Sequence, residues 1–328
     1  MKYNYPQSKA IFKKIQDSNN ILINVHKNPD CDTVGSATAM YEIVTELGKK
    51  ATIVCPSEIS DSFKFLKHSE KIQKVDFSRF NYCLFDLFLI LDTSSYDRVT
   101  GSKEIELPDN PPKIIIDHHK TNNFQYPLQI VDVTASATAE ILYKMIKDSR
   151  IKINEDIATA LFSGITGDTV FFKYLKDPKT VFSIAADLLD KGANHKKLVS
   201  TFYDNNEFAF TKLLGLFLSE MKLEKTKTGA FVWAAISYET YARFGHPQGV
   251  RETAADSFFR SIKDTDFGIA MVETKKNELS VSFRSKDKID VSVFAEKLGG
   301  GGHKNAAGCT VKGEFDESVK KVLNSLLT

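Results

Sequence analysis

"NILINVHKNPDCDTVGSATAMYEIVTELG", residues 20–48, reads as one strand–loop–helix unit. "NILINV" is an apolar run of strand length. "GSATAMYEIVTELG" has the composition of a helix closed by Gly48. Between them the loop packs His26, Asp30 and Asp32 into seven positions. Carboxylates that close repel unless a cation holds them, which points to a metal site. Asn28-Pro29-Asp30 is also good turn chemistry by itself, so a plain polar turn is the competing reading.

The pattern repeats outward from this unit. "KATIVC" (50–55), "LFLILD" (87–92) and "KIIID" (113–117) read as further buried strands, and "SATAEILYKMIKD" (136–148) and "NEDIATALFSGI" (154–165) as helices. Such alternation predicts an α/β fold with a mainly parallel sheet and helices on both faces. Sites in these sheets lie beyond the carboxyl ends of the strands. His26, Asp92 and Asp117 each close an apolar strand, and three strands ending in metal-ligand chemistry outweigh the turn reading. Asp168, in "GITGDT", is expected just past a helix and within reach of the same cluster. In "IDHHK" (116–120), neighbours on an extended chain point to opposite faces. His118 and His119 are therefore expected not to share one metal: one is a ligand, the other faces substrate.

Composition narrows the class. The 328 residues, 42% hydrophobic and 26% charged, suit two globular domains. Lys plus Arg number 44 against 42 Asp plus Glu, so no global positive field recruits long nucleic acid. Cys31, Cys55, Cys83 and Cys309 show no CxxC spacing, which argues against a disulfide framework or a thiolate zinc site and suits a reducing cytoplasm. The start, "MKYNYPQSKAIFKKI", has no apolar core of signal-peptide length. The run "CLFDLFLIL" is short and broken by Asp86, so no membrane span is expected.

The expected domains are 1–195, a helical linker over 196–227 that includes "KLLGLFLSEMKLEK", and a smaller α/β unit over 228–328. In the last, "AFVWAAIS", "FGIAMVET" and "ELSVSFRS" read as strands, and "RETAADSFFRSIK", "DVSVFAEKL" and "DESVKKVLNSLL" as helices. The run Gly299 to Gly302 reads either as a helix C-cap or as a backbone cradle for a phosphate. On the strand "VSFRS", Ser282 and Arg284 share the face opposite Val281 and Phe283.

His26 with "NPDCD", then "LDTS", "IDHH", "SATAE" and "GITGDT", stand in the order of the DHH phosphoesterase motifs, and "GGGGHKNAAG" (299–308) is similar to the DHHA1 signature. Over nearly its whole length the chain resembles the NrnA-type nanoRNases and their relatives that cleave linear or cyclic dinucleotides. That resemblance implies two divalent ions, manganese by preference. His26 and Asp30 would hold one ion and Asp32, His118 and Asp168 the other. Asp92 would bridge them, Asp117 would orient a histidine, and His119 would lie beside the scissile phosphate. It further implies substrate binding by Arg284, Gly300, Gly301, Gly302 and His303, with Arg284 clamping a terminal phosphate.

The implied activity is hydrolysis of very short RNA by a water activated between two metals, with 3′-phosphoadenosine 5′-phosphate (pAp) as a second substrate. The second domain would hold the substrate across a cleft. A cyclic-dinucleotide phosphodiesterase is the close alternative, and a RecJ-like exonuclease or a non-catalytic nucleotide sensor stands further off. A family II pyrophosphatase would not carry "GGGGHKNAAG". The partners expected are short oligonucleotides or nucleotides, with no membrane; a homodimer is compatible with all of this. Arg98 matches a family position but equally fits a salt bridge, and Ser136 reads as a helix cap or, equally, as a further site residue. His68, His195 and His246 fit no motif, and Trp233 is most simply core. Cys31 and Val170 depart from the family's usual small residue and glycine, which bears on substrate preference rather than on the metal site.

Overall fold

The structure, a computed structural model, describes residues 5–122, 124–226, 229–286 and 288–326. Its chain contacts divide into an N-terminal unit ending at Asp204 and a C-terminal unit beginning at Asn205. The expected start of the second domain, Thr228, lies outside the described residues.

The first unit is built on β1 (Asn20–Asn24), β2 (Lys50–Cys55), β3 (Ile72–Lys74), β4 (Leu87–Leu91), β5 (Lys113–Asp117) and β6 (Leu128–Val131). All pair in parallel, in the order β3-β2-β1-β4-β5-β6. Around them stand α1 (Ser8–Asp17), α2 (Cys31–Glu46), α3 (Tyr96–Thr100), α4 (Thr138–Asp148), α5 (Glu155–Asp168), α6 (Pro178–Asp190) and α7 (His195–Phe202). The strands are apolar at successive positions because both faces are covered. Ile21, Ile23 and Leu89 pack into the larger core with α2, α4 and α5. Leu22, Phe88 and Ile90 face a second core with Phe77, Tyr82 and Phe124. Strand order reverses between β1 and β4, and a sheet of this kind opens a crevice beyond its carboxyl ends at that point. The helices α2 and α5 approach closely because Gly35 and Gly164 carry no side chain. A Cβ on Gly35 would stand 2.3 Å from the Ala160 carbonyl oxygen, and one on Gly164 would stand 2.7 Å from Asp32 Oδ1.

The second unit contains α8 (Phe208–Ser219), β7 (Lys222–Thr226), β8 (Gly229–Ile236), α9 (Tyr238–Arg243), α10 (Val250–Thr253), β9 (Phe267–Lys275), β10 (Glu278–Ser285), α11 (Ser292–Lys297), β11 (Gly301–His303), β12 (Ala306–Lys312) and α12 (Phe315–Asn324). The sheet runs β11-β12-β10-β9-β8-β7, with β8 and β9 parallel and the other pairs antiparallel. Apolar residues fill both faces: Phe267, Ile269 and Phe283 on one, Val232, Ala234 and Ala270 on the other.

Two expectations need correction here. The stretch 196–227 is not one helical linker: α7 and α8 are separate, and 222–226 forms an edge strand against Gly229–Trp233. "KLEKT" lacks helical periodicity, and edge pairing satisfies its backbone. "RETAADSFFRSIK" is not a regular helix either. After α10 the chain takes a π-turn over Ala254–Phe258 and a 3₁₀ turn over Phe259–Ser261. The wider turn lets Ala254, Ala255 and Phe259 all enter the core. Among the described residues no helix is long and apolar enough to cross a membrane.

Candidate metal centre

His26 lies just beyond β1, with Nδ1 3.0 Å from the Lys27 carbonyl oxygen, an acceptor only. The proton therefore sits on Nδ1 and the lone pair on Nε2, the tautomer a metal-bound imidazole requires. That Nε2 is 3.2 Å from Asp30 Oδ2 and 3.5 Å from Asp92 Oδ2. Asp30 is the N-cap of α2: its Oδ1 accepts from the Asp32 and Thr33 amides, which leaves Oδ2 to face the histidine.

Asp32, fully buried in the first turn of α2, is held by the start of α4. Oδ2 accepts from the Thr138 amide at 2.6 Å and Oδ1 from the Ala139 amide at 2.9 Å. Asp92 follows β4 at φ 54°, a left-handed conformation that aspartate tolerates better than most residues. Its Oδ1 accepts from the Thr138 hydroxyl and lies 3.5 Å from His118 Nε2. His118 Nε2 is 3.1 Å from Asp168 Oδ2. His119 Nδ1 donates to Asp117 Oδ1 at 2.7 Å, and Asp117 Oδ2 accepts from the Asn122 side-chain amide at 2.7 Å.

Three donor groups thus converge with their ligand atoms within 4.8 Å: His26, Asp30 and Asp92; Asp32, His118 and Asp168; and Asp92, His118 and His119. The third brings both histidines to one carboxylate rather than to opposite faces, although His119 Nδ1 is engaged by Asp117. β5 ends at Asp117, so strand alternation no longer applies, and both rings face Asp92 with centroids 4.5 Å apart. Asp168 is also the last residue of α5 rather than a position beyond it.

The electrostatics call for positive charge. Burial, then the neighbouring Asp168, pushes Asp32 up to about 7. Burial, then the charges of Asp32, Asp30 and Asp168, holds Asp92 well above the usual carboxylate range. Burial also draws Asp30 upward, but its contacts with His26, the Thr33 amide bond and the Arg98 charge outweigh it and leave the carboxyl low. For His118, burial opposes the charged form, and Asp168 and Asp32 overcome it and raise the imidazole. Both His118 nitrogens are buried and make no aligned hydrogen bond among the described residues, although Asp168 Oδ2 lies 3.1 Å from Nε2. Arg98 Nη2 donates to His26 Nε2 at 2.7 Å, which places a cation where the donor set lacks one. Two divalent ions fit these residues: they would supply the missing charge and a partner for the His118 imidazole.

The remaining singled-out residues divide. Ser136 does not cap α4, whose N-cap is Ala137. Its hydroxyl accepts from the Lys176 amide and ties down the segment after α5. His68 pairs with Glu42, His195 rests on the edge of Phe162, His246 packs on Tyr238 and Tyr241, and Trp233 is core. Cys31 packs against Gly167, and burial with three acidic neighbours pushes its thiol up to about 12. Val170, at φ 49°, opens three successive left-handed residues, Val170 to Phe172.

In the second unit, Ser282, Arg284, Gly300 and Gly301 line a concavity of about 660 Å³ together with Arg251, Glu252 and Ser280. Arg284 Nε donates to Asp256 Oδ1 at 2.7 Å, and its Nη1 to the Phe283 carbonyl. Gly302 and His303 do not line the concavity, and His303 is exposed on edge strand β11. The C-cap alternative holds for the first two glycines of the run. The Gly299 and Gly300 amides donate to the Glu296 and Ala295 carbonyls at the end of α11. Gly300 and Gly302 are required by packing on β12: a Cβ there would stand 2.2 Å from the Gly308 oxygen or 2.5 Å from the Ala307 Cα. The C-cap reading accounts for those amides. Asn122, Asp256 and Arg251 were not legible beforehand. Asn122 bonds across a turn, Asp256 to a partner remote in sequence and Arg251 lines a concavity assembled by folding, and none sits in a motif.

Comparison with known proteins matches each unit to a family. Residues 20–165 match the model of the DHH family, N-terminal domain, and residues 234–328 that of the DHHA1 domain. The chain is 30% identical to the bifunctional oligoribonuclease and PAP phosphatase NrnA of Thermus thermophilus, over 93% of this chain and 89% of that protein. It is 27% identical to the cyclic-di-AMP phosphodiesterase GdpP of Bacillus subtilis, over 97% of this chain but 49% of that protein. An exopolyphosphatase-related protein from Bacteroides fragilis superimposes with a TM-score of 0.88 at 24% identity, over 98% of this chain and 95% of that one, a likeness of fold.

Proposed function

The chain belongs to the DHH family of phosphoesterases, with a DHHA1 domain behind the DHH one, and from that premise we propose that it hydrolyses very short RNA oligonucleotides and pAp. The observation that carries this reading is the convergence of His26–Asp30–Asp92 and Asp32–His118–Asp168 at the carboxyl ends of β1, β4 and β5. A donor set that mixes imidazole and carboxylate suits manganese, iron, cobalt or zinc better than magnesium, and the family resemblance favours manganese.

In this reading His26 and Asp30 hold one ion, Asp32, His118 and Asp168 the other, and Asp92 belongs to both. Bound there, the ions supply Lewis acidity at phosphorus and lower the pKa of the attacking water. The protein contributes fixed geometry. The Lys27 carbonyl sets the His26 tautomer, the α4 amides fix Asp32, and Thr138 anchors Asp92. Asp117 holds the Nδ1 side of His119, which leaves Nε2 for the scissile phosphate. Arg284, braced by Asp256, grips a terminal phosphate through its remaining Nη2 group. The cytoplasm is the compartment where such substrates and these unpaired thiols belong together.

A second reading rests on the similarity to the cyclic-di-AMP phosphodiesterase. One assay separates them: product analysis on one- to ten-nucleotide RNA, pAp, and linear and cyclic dinucleotides, with manganese. Turnover concentrated on dinucleotides to pentanucleotides and pAp is the expected result. Turnover confined to cyclic dinucleotides would replace this proposal with the second.

A further inference from the structure

We infer that Arg251 is a specificity-determining residue: with Arg284 it forms a two-armed grip for a terminal phosphate monoester. This rests on the phosphoesterase reading above and names what the second unit selects.

Three observations lead there. Arg251 and Arg284 line the same concavity, whose volume of about 660 Å³ accommodates a nucleotide. The rest of its lining is small and uncharged apart from Glu252, with Ser280, Ser282 and Gly301 presenting little bulk. A Cβ added to Gly301 would meet nothing within 4 Å. Each guanidinium is braced by a carboxylate and keeps donors in reserve. Arg284 spends Nε on Asp256 and Nη1 on the Phe283 carbonyl. Arg251 spends Nη2 on Glu252, while its Nε is buried with no acceptor among the described residues.

Chemistry chooses the ligand. An internal phosphodiester carries one negative charge and two free oxygens, whereas a terminal monoester carries nearly two charges and three acceptor oxygens. Two guanidiniums with fixed orientation match the monoester, because Arg presents planar forks that suit phosphate. The Asp256 and Glu252 braces reduce the ordering needed on binding. Asp256 lies within the π-turn over Ala254–Phe258, so that irregular segment carries the carboxylate that positions Arg284.

The test is discrimination between matched dinucleotides with and without one terminal phosphate, read as the ratio of their kcat/KM values. Wild type is expected to favour the phosphorylated member, and Arg251→Met to lower that ratio roughly tenfold or more. Arg251→Lys, which keeps the charge and loses the fork, should fall between them. A ratio unchanged in both variants, or a loss shared equally by both substrates, would overturn the grip. Failure of wild type to hydrolyse either dinucleotide or pAp would instead overturn the underlying substrate reading.

Discussion

Asp92 sits where three constraints meet: a left-handed backbone, complete burial and the repulsion of neighbouring carboxylates. Its ionised form is disfavoured in the metal-free fold, so removing the charge should relieve that fold while destroying its use. Asp92→Asn is expected to reduce turnover by about a thousandfold or more. It should keep or raise the melting temperature in chelator, and lose the stabilisation that manganese gives wild type. Wild-type turnover, or an undiminished manganese shift in melting, would defeat the assignment of Asp92 to both ions. Away from the centre, Glu42 shows the opposite sign. Burial pulls its carboxyl upward, but hydrogen bonds from His68, Lys67 and Asn154 outweigh it and hold it below its ordinary 4.5. Its contribution is therefore present at and above the unfolded value and lost as pH falls through the folded one. Glu42→Gln should cost about 1–2 kcal/mol at neutral pH. Its melting temperature should converge with wild type once the pH has fallen below the folded-state value, which lies under the ordinary 4.5; a gap that persists at acid pH would mean packing, not charge, is responsible.

At the scale of elements, catalysis depends on how tightly α2 and α5 are pressed together. Gly164 leaves room for Asp32 Oδ1 and for the Ala139 methyl, which a Cβ would meet at 2.7 Å and 2.6 Å. Gly164→Ala is expected to destabilise the protein by about 1–3 kcal/mol through overpacking. It should also weaken manganese binding, since the displaced carboxylate is one the α4 amides hold in place. Titrating manganese against the melting temperature of the variant measures both. Lost stability with unchanged metal affinity would show that Asp32 is not tied to this contact. The helices themselves were legible from composition and periodicity. Their separation was not, because it depends on which glycine of one helix meets which backbone of another.

At the scale of the molecule, the near balance of 44 basic and 42 acidic residues offers little to track a long polyanion. If the second unit adds its grip only when a substrate's terminal group reaches it, that binding energy enters turnover as well as affinity. kcat/KM is then expected to peak at two to five nucleotides and fall by ten and twenty, measured at one salt concentration. A flat or rising profile would favour a processive exonuclease. The sequence by itself determined the α/β alternation, the parallel sheet and the residues at its strand ends. These follow from local hydrophobic period and residue type, and the crevice rule for such sheets does the rest. Only the tertiary structure decided that His118 and His119 both turn toward Asp92, and that Arg98 bonds to His26. It alone showed that Asp256, inside a π-turn, meets Arg284, and that Gly300 and Gly302 pack closely on β12. Each of those contacts joins groups whose approach is set by packing between elements or by a break in regular geometry, and no repeat along the chain encodes either.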